Sequence, residues 1–231
     1  TKKVAPKKAA PKKVAPKKVA PKKVAPKKAA PKKAAPKKAA PEKAAGKAAL
    51  HKKATAAVTA AQSGATVNHV AFVVDRSGSM SRIRTKVVQV FNAQLDALKK
   101  NSESLGQTTF VSFYTFHSRV DPPRFFAQPI KSVEKLKSLT TTGSTALFDA
   151  TGQAIEDLGS VPGAKLDNVS FLIIVLTDGY ENSSRKYKSK IKSMIQSAQG
   201  SGRWTFAFLV PKGGEAVLKR FGIPDGNKIG R

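Results

Sequence analysis

A proline at every fifth position, from Pro6 through Pro11, Pro16, Pro21, Pro26, Pro31 and Pro36 to Pro41, dictates what the start of this chain can be. Each proline removes a backbone donor and its ring clashes with the preceding helical turn, so a continuous helix is excluded there. The residues between are Lys-Lys-Ala/Val-Ala, whose apolar content is too small to offset the entropy of ordering the chain. Residues 1–45 are therefore expected to be a disordered, extended arm with polyproline-II character. Residues 46–65 read as a linker able to turn helical, and Ala44–Ala61, interrupted only by Gly46, could do so against a polyanion. Residues 66–231 carry the pattern of a folded domain.

Charge follows the same division. The formal net charge is +29, and residues 1–53 hold twenty lysines against the single acid Glu42. The paired ammonium groups Lys2, Lys3, Lys7, Lys8, Lys12, Lys13, Lys17, Lys18, Lys22, Lys23, Lys27, Lys28, Lys32, Lys33, Lys37 and Lys38 suit a phosphate backbone, from which they release condensed counterions. Lysine lacks the bidentate fork that reads base edges, and the arm has neither arginine nor an aromatic residue to stack on bases. Expected binding is thus sequence-independent and salt-sensitive, with DNA the favoured partner over RNA. The arm resembles the lysine/alanine/proline tails of linker histones and of some bacterial proteins. A solubilising charge run, or one that meets acidic protein or anionic membrane, is the alternative.

The chain has no cysteine, which excludes disulfides, thiolate metal sites and cysteine nucleophiles. The apolar runs Ala71–Val74 and Phe171–Leu176 are too short to span a bilayer, and Lys-Lys pairs break any secretory signal. The expected location is the cytoplasm, at a bacterial nucleoid or in a phage-infected cell, or the nucleus of a eukaryote.

From residue 66 onward, strand and helix patterns alternate. His69–Asp75, Val169–Leu176 and Trp204–Val210 read as buried strands, and Thr108–Phe116 with Arg119–Phe126 as a hairpin. Ser81–Lys100 has apolar residues at helical spacing, and Val133–Leu139, Ala146–Leu158, Tyr187–Gln199 and Glu215–Phe221 are further helix candidates. This order predicts an α/β fold, Rossmann-like, whose central sheet is mostly parallel with one antiparallel edge strand and helices on both faces. Ligands of such sheets bind beyond the carboxyl ends of the strands.

Three segments stand at those ends. Asp75-Arg76-Ser77-Gly78-Ser79 follows the first strand, Thr142-Gly143-Ser144-Thr145 opens a helix, and Thr177-Asp178-Gly179 follows a later strand. Taken singly, each is an ordinary turn or helix cap. Together they resemble the metal-ion-dependent adhesion site of the von Willebrand factor A family, in its stand-alone bacterial and phage form. TDGYENS, GSTALFDA, Trp204-Thr205-Phe206 and Phe221-Gly222-Ile223-Pro224 extend the resemblance over about residues 66–227. It implies a metal held by Asp75, Ser77, Ser79, Thr145 and Asp178, with the hydroxyls ligating directly and the carboxylates acting largely through water.

Magnesium suits such hard oxygen donors, with manganese as the alternative. A cation bound mainly by neutral oxygens keeps its affinity for a carboxylate, so an Asp or Glu of a protein partner would complete its shell. That is binding without a chemical step, and the expected function is a non-catalytic protein-binding module tethered to nucleic acid. A histone-like compaction or packaging protein with a mainly structural body is the alternative, and a metal-dependent phosphoesterase a lesser one. Against the last, no second carboxylate cluster and no placed base are found. Asp149 and Glu181 stand near the site in sequence and are candidates to support it, with a helix-surface carboxylate the favoured reading for Asp149. His117 reads as an exposed turn histidine. Arg185–Lys192 is a second phosphate-contacting face or a solvated helix start.

Overall fold

A computed structural model describes residues 54–211 and Lys219. The proline-lysine arm, residues 46–53 and the expected helix Glu215–Phe221 (Lys219 apart) lie outside the described residues.

Five strands form one sheet in the order β3-β2-β1-β4-β5, where β1 is Val67–Asp75, β2 Thr108–Phe116, β3 Phe125–Pro129, β4 Val169–Leu176 and β5 Trp204–Leu209. β1 pairs in parallel with β2 and β4, β4 in parallel with β5, and β3 alone runs antiparallel, at the edge beside β2. The central strand has no polar alternation because both its faces are covered. Val70, Phe72 and Val74 face Val87, Phe91 and Leu95 of α2 (Arg84–Ser104), where Phe91 meets Phe72 and Phe113 edge-on. Ala71 and Val73 face a second core closed by α3 (Leu147–Gly159) and α4 (Ile191–Gly200). The mostly parallel sheet with one antiparallel edge and helices on both faces is the architecture read from the sequence.

His69 lies on that second face, in ring-stacking distance of both Phe110 and Phe171, and Trp204 stacks on Phe171 at 4.1 Å. Burial pushes the His69 imidazole down to about 4, and among the described residues its Nδ1 has no hydrogen-bond partner. Gly152 of α3 admits the buried ring of Tyr187, since any Cβ there would overlap ring atoms.

Three segments differ from the sequence reading, and one other sharpens it. Thr55–Gln62, inside the linker read as able to turn helical, is a helix (α1) whose Ala57 and Ala61 enter the core. Asn168 Nδ2 donates to Ala61 O and Ala65 O at 2.8 Å each, so tertiary bonds support a helix too short to persist alone. The hairpin's second strand is Phe125–Pro129 instead of Arg119–Phe126, because Pro122 and Pro123 cannot donate to a ladder; only the isolated Phe116–Val120 bridge remains of the early pairing. Val133–Leu139 is not helical. Its Val133, Leu136 and Leu139 are buried as expected, but Asn92 takes both the Leu136 N–H (2.8 Å) and C=O (3.0 Å), and Lys99 Nζ donates to Val133 O. The helix expected over Tyr187–Gln199 also starts later, at Ile191.

Candidate metal centre

The parallel register brings Asp75, Phe116 and Leu176 to one edge of the sheet, so the loops bearing Asp75 and Asp178 leave from the same end. Asp75 is fully buried there. Its Oδ1 accepts the Ser77 N–H at 2.8 Å and its Oδ2 accepts the Thr177 hydroxyl at 2.7 Å. Thr177 Oγ1 in turn accepts the Gly179 N–H at 3.1 Å, which shapes the turn carrying Asp178. Burial pushes the Asp75 carboxyl up to about 6. The Thr177 and Ser77 hydrogen bonds oppose that rise and the negative charge of Asp178 adds to it.

Ser77 is buried with its Oγ 3.1 Å from Ser79 Oγ, and Ser79 is exposed. The Gly143 loop is pinned to this turn by its backbone: Thr142 N–H donates to Arg76 O at 2.8 Å and Gly78 N–H to Gly143 O at 2.9 Å. Gly143 holds φ +69°, and a side chain there would run into Ser118 and His117. Thr145 is buried, and its backbone does the holding. Its N–H donates to Asn182 Oδ1, and its C=O accepts from the Asn182 and Ser183 amides. The sheet edge and these bonds gather the turns bearing Asp75, Ser77, Ser79 and Asp178, and tie the Thr145 loop to them.

The partners that make up two supports escaped the sequence reading. Arg76, the variable position inside the D-x-S-x-S turn, forks onto Asp121 through Nε (2.7 Å) and a second guanidinium N–H (3.1 Å). Burial works to raise the Asp121 carboxyl, but the hydrogen bonds from Arg76 and Thr115 and the Arg76 charge hold it below the usual carboxylate range. His117, read as an exposed turn residue, is half-buried beside the same carboxylate (3.5 Å), and its Nδ1 has no hydrogen-bond partner among the described residues. The second support is a reciprocal exchange between α3 and the loop after β4. Glu181 accepts from the Phe148, Ser183 and Ser184 amides and the Ser184 hydroxyl, while Asp149 accepts from the Arg185 and Tyr187 amides at 2.8 Å each. Asp149 is thus a loop anchor and not simply a surface carboxylate. Its presence in a first helical turn was the available signal.

The donor chemistry fits a small hard cation. Among the described residues no three His, Cys, Asp or Glu side chains group together, so a metal here depends on hydroxyls. The Ser77–Ser79 oxygen separation of 3.1 Å matches the roughly 3.0 Å between adjacent ligands of an octahedron with ~2.1 Å bonds. The uncompensated charge of buried Asp75 beside Asp178 favours a cation at the same place. Among the described residues no helix is long and apolar enough to cross a membrane.

Comparison with known proteins places these observations. A family model of the von Willebrand factor type A domain matches residues 69–227. Similar solved structures include proximal thread matrix protein 1 from the mussel byssus, with 18% identity, a TM-score of 0.50, and coverage of 72% of this chain and 42% of that one. The manganese-loaded TRAP protein of Plasmodium vivax has 15% identity, a TM-score of 0.50, and coverage of 72% and 68%. The chain spans about two fifths of the mussel protein's length. At these identities the likeness is one of fold. No curated protein sequence matches the chain.

Proposed function

The chain belongs to the von Willebrand factor type A domain family, and from that premise we propose that it is a non-catalytic, metal-dependent protein-binding module, carried on a lysine-rich arm that holds nucleic acid without reading its sequence. The observation that supports the metal half most is the pair of serine hydroxyls, Ser77 and Ser79, held at octahedral-edge separation above the buried Asp75 carboxylate.

In this reading Ser77, Ser79 and Thr145 hold magnesium or manganese through their hydroxyls, and Asp75 and Asp178 balance its charge. The bound cation supplies Lewis acidity toward a partner's carboxylate. Asp75 orients the turn through Ser77 N–H and Thr177, and Arg76 clamps the same turn to Asp121. The arm supplies the second half. Its sixteen lysines in pairs neutralise phosphates, and a tether on nucleic acid raises the domain's local concentration near any partner bound there.

The test uses the full chain and a fluorescent DNA duplex at several salt concentrations, with magnesium or with EDTA. A protein making 6–10 phosphate contacts loses about 10³–10⁵-fold in affinity between 50 and 200 mM salt. The reading expects a loss in that range, no preference between unrelated duplexes, no dependence on magnesium and an intact duplex afterwards. Salt-independent binding would remove the arm's role, and magnesium-dependent cleavage would contradict the non-catalytic reading.

A further inference from the structure

A second feature adjoins the metal loops without belonging to them. Ser118, Arg119, Asp149, Asn182, Ser183 and Arg185 line a cleft of about 530 Å³. Two of its walls are the residues that hold the Thr145 loop: Ser118 Oγ accepts the Ser144 N–H at 2.9 Å, and Asn182 Oδ1 accepts the Thr145 N–H at 2.9 Å. Cleft and loop therefore share a boundary.

Both guanidinium groups are exposed, and among the described residues neither has a carboxylate within ion-pair distance. The cleft's own carboxylate is directed elsewhere, since Asp149 Oδ2 accepts the Arg185 N–H and Oδ1 the Tyr187 N–H. Ser118 accepts from Ser144 and retains a hydroxyl proton to donate. Two forked cations and a hydroxyl around a small concavity suit a carboxylate or a phosphate.

Three observations favour a protein ligand over nucleic acid. No aromatic side chain lines the cleft, so a base has nothing to stack on. The negative charge of Asp149 repels a continuous phosphate backbone more than it repels one acidic side chain. The cleft is also of a size for a few side chains, not an open track. We propose that this cleft binds an acidic side chain of a protein segment, with Arg119 and Arg185 as its charge partners, beside the point where that segment meets the metal loops. The inference rests on the protein-binding reading for its partner. An extended segment advances ~3.3 Å per residue, so an acid a few positions from the metal-facing carboxylate reaches the cleft.

Residues 1–53 contain no arginine, so arginine Nε–Hε signals observed by NMR on the full chain are blind to the basic arm. Arg119→Lys and Arg185→Lys identify the two signals by deletion. Hexaglutamate, added in excess of the arm's capacity, is the probe, and a thymidine hexanucleotide is its comparison. The expected result is that both signals move along one saturating curve with hexaglutamate. In Arg119→Lys the Arg185 signal should then titrate at least threefold more weakly. The proposal is overturned if neither signal moves, if they move only as the exposed Arg82 and Arg84 do, or if the hexanucleotide saturates them at the lower concentration. The Gly143 and Thr145 amides, followed with magnesium against EDTA, report the metal reading separately. Their silence would sink that reading and leave the arginine result to stand or fall alone.

Discussion

Asp75 Oδ2 accepts a 2.7 Å hydrogen bond from Thr177 Oγ1, joining the end of the central strand to the loop that carries Asp178. The two residues are 102 positions apart in sequence, yet the last residue of β1 and the first residue beyond β4 are joined side chain to side chain. Thr177 donates to the buried carboxylate and accepts from Gly179, so it positions both carboxylates without being a proposed ligand. Replacing it by valine strands a buried acceptor and a backbone donor, a loss of about 1–3 kcal/mol. Thr177→Val should lower both the denaturation midpoint and magnesium affinity, whereas Thr177→Ser, which keeps the hydroxyl, should retain most of each.

Glu181 offers a second test of positioning. Its carboxylate collects three amide protons and one hydroxyl proton from α3 and the loop that supports Thr145. In Glu181→Gln one acceptor becomes a donor facing donors, at a cost of about 1–3 kcal/mol. Chemical denaturation should register that loss, and magnesium titration should show weaker binding although Glu181 lies outside the proposed ligand set. Unchanged metal affinity would restrict Glu181 to a purely structural part.

Acid should act on His69 and Asp75 in opposite directions. The His69 imidazole lies at about 4 against an ordinary 6.5, so its contribution is full above pH 6.5 and is lost as pH falls toward 4. The Asp75 carboxyl lies at about 6 against 3.8, so its contribution is full below pH 3.8 and is lost as pH rises through 6. Each shift corresponds to about 3 kcal/mol at its limit. Melting curves in EDTA from pH 4 to pH 7, read as differences from wild type, separate them. Asp75→Asn should be the more stable protein at pH 7 and lose that advantage toward pH 4. His69→Phe should gain on wild type as pH falls from 6.5. Parallel profiles for all three proteins would contradict both assignments.

What the sequence disclosed depended on how locally each feature is encoded. β1 and β4 were legible because strands covered on both faces are unbroken apolar runs, and the motif loops because they sit at the ends of those runs. Val133–Leu139 shows the opposite case. Its three buried residues have helical spacing, but Asn92 and Lys99, about forty positions earlier, capture its backbone in an irregular path. The Pro122-Pro123 pair did carry the signal that displaced β3, and the hydrophobic pattern on either side hid it. The residues proposed to hold the metal, Asp75, Ser77, Ser79, Thr145 and Asp178, form a spaced motif in the sequence. The Arg76–Asp121 fork and the Glu181–Phe148 bond were not, since only the fold brings those partners together.

The central claim is that the sheet edge holds a working cation site, and one titration addresses it directly. Magnesium or manganese is added to the full chain, wild type beside Asp75→Ala, while thermal melting is followed in one buffer at pH 7.5. A ligand at a hundred times its Kd stabilises the folded state by about 2.7 kcal/mol. The account predicts a concentration-dependent rise in Tm toward that scale for wild type and none for Asp75→Ala. A wild type that ignores both metals, or a variant that responds equally, would contradict it.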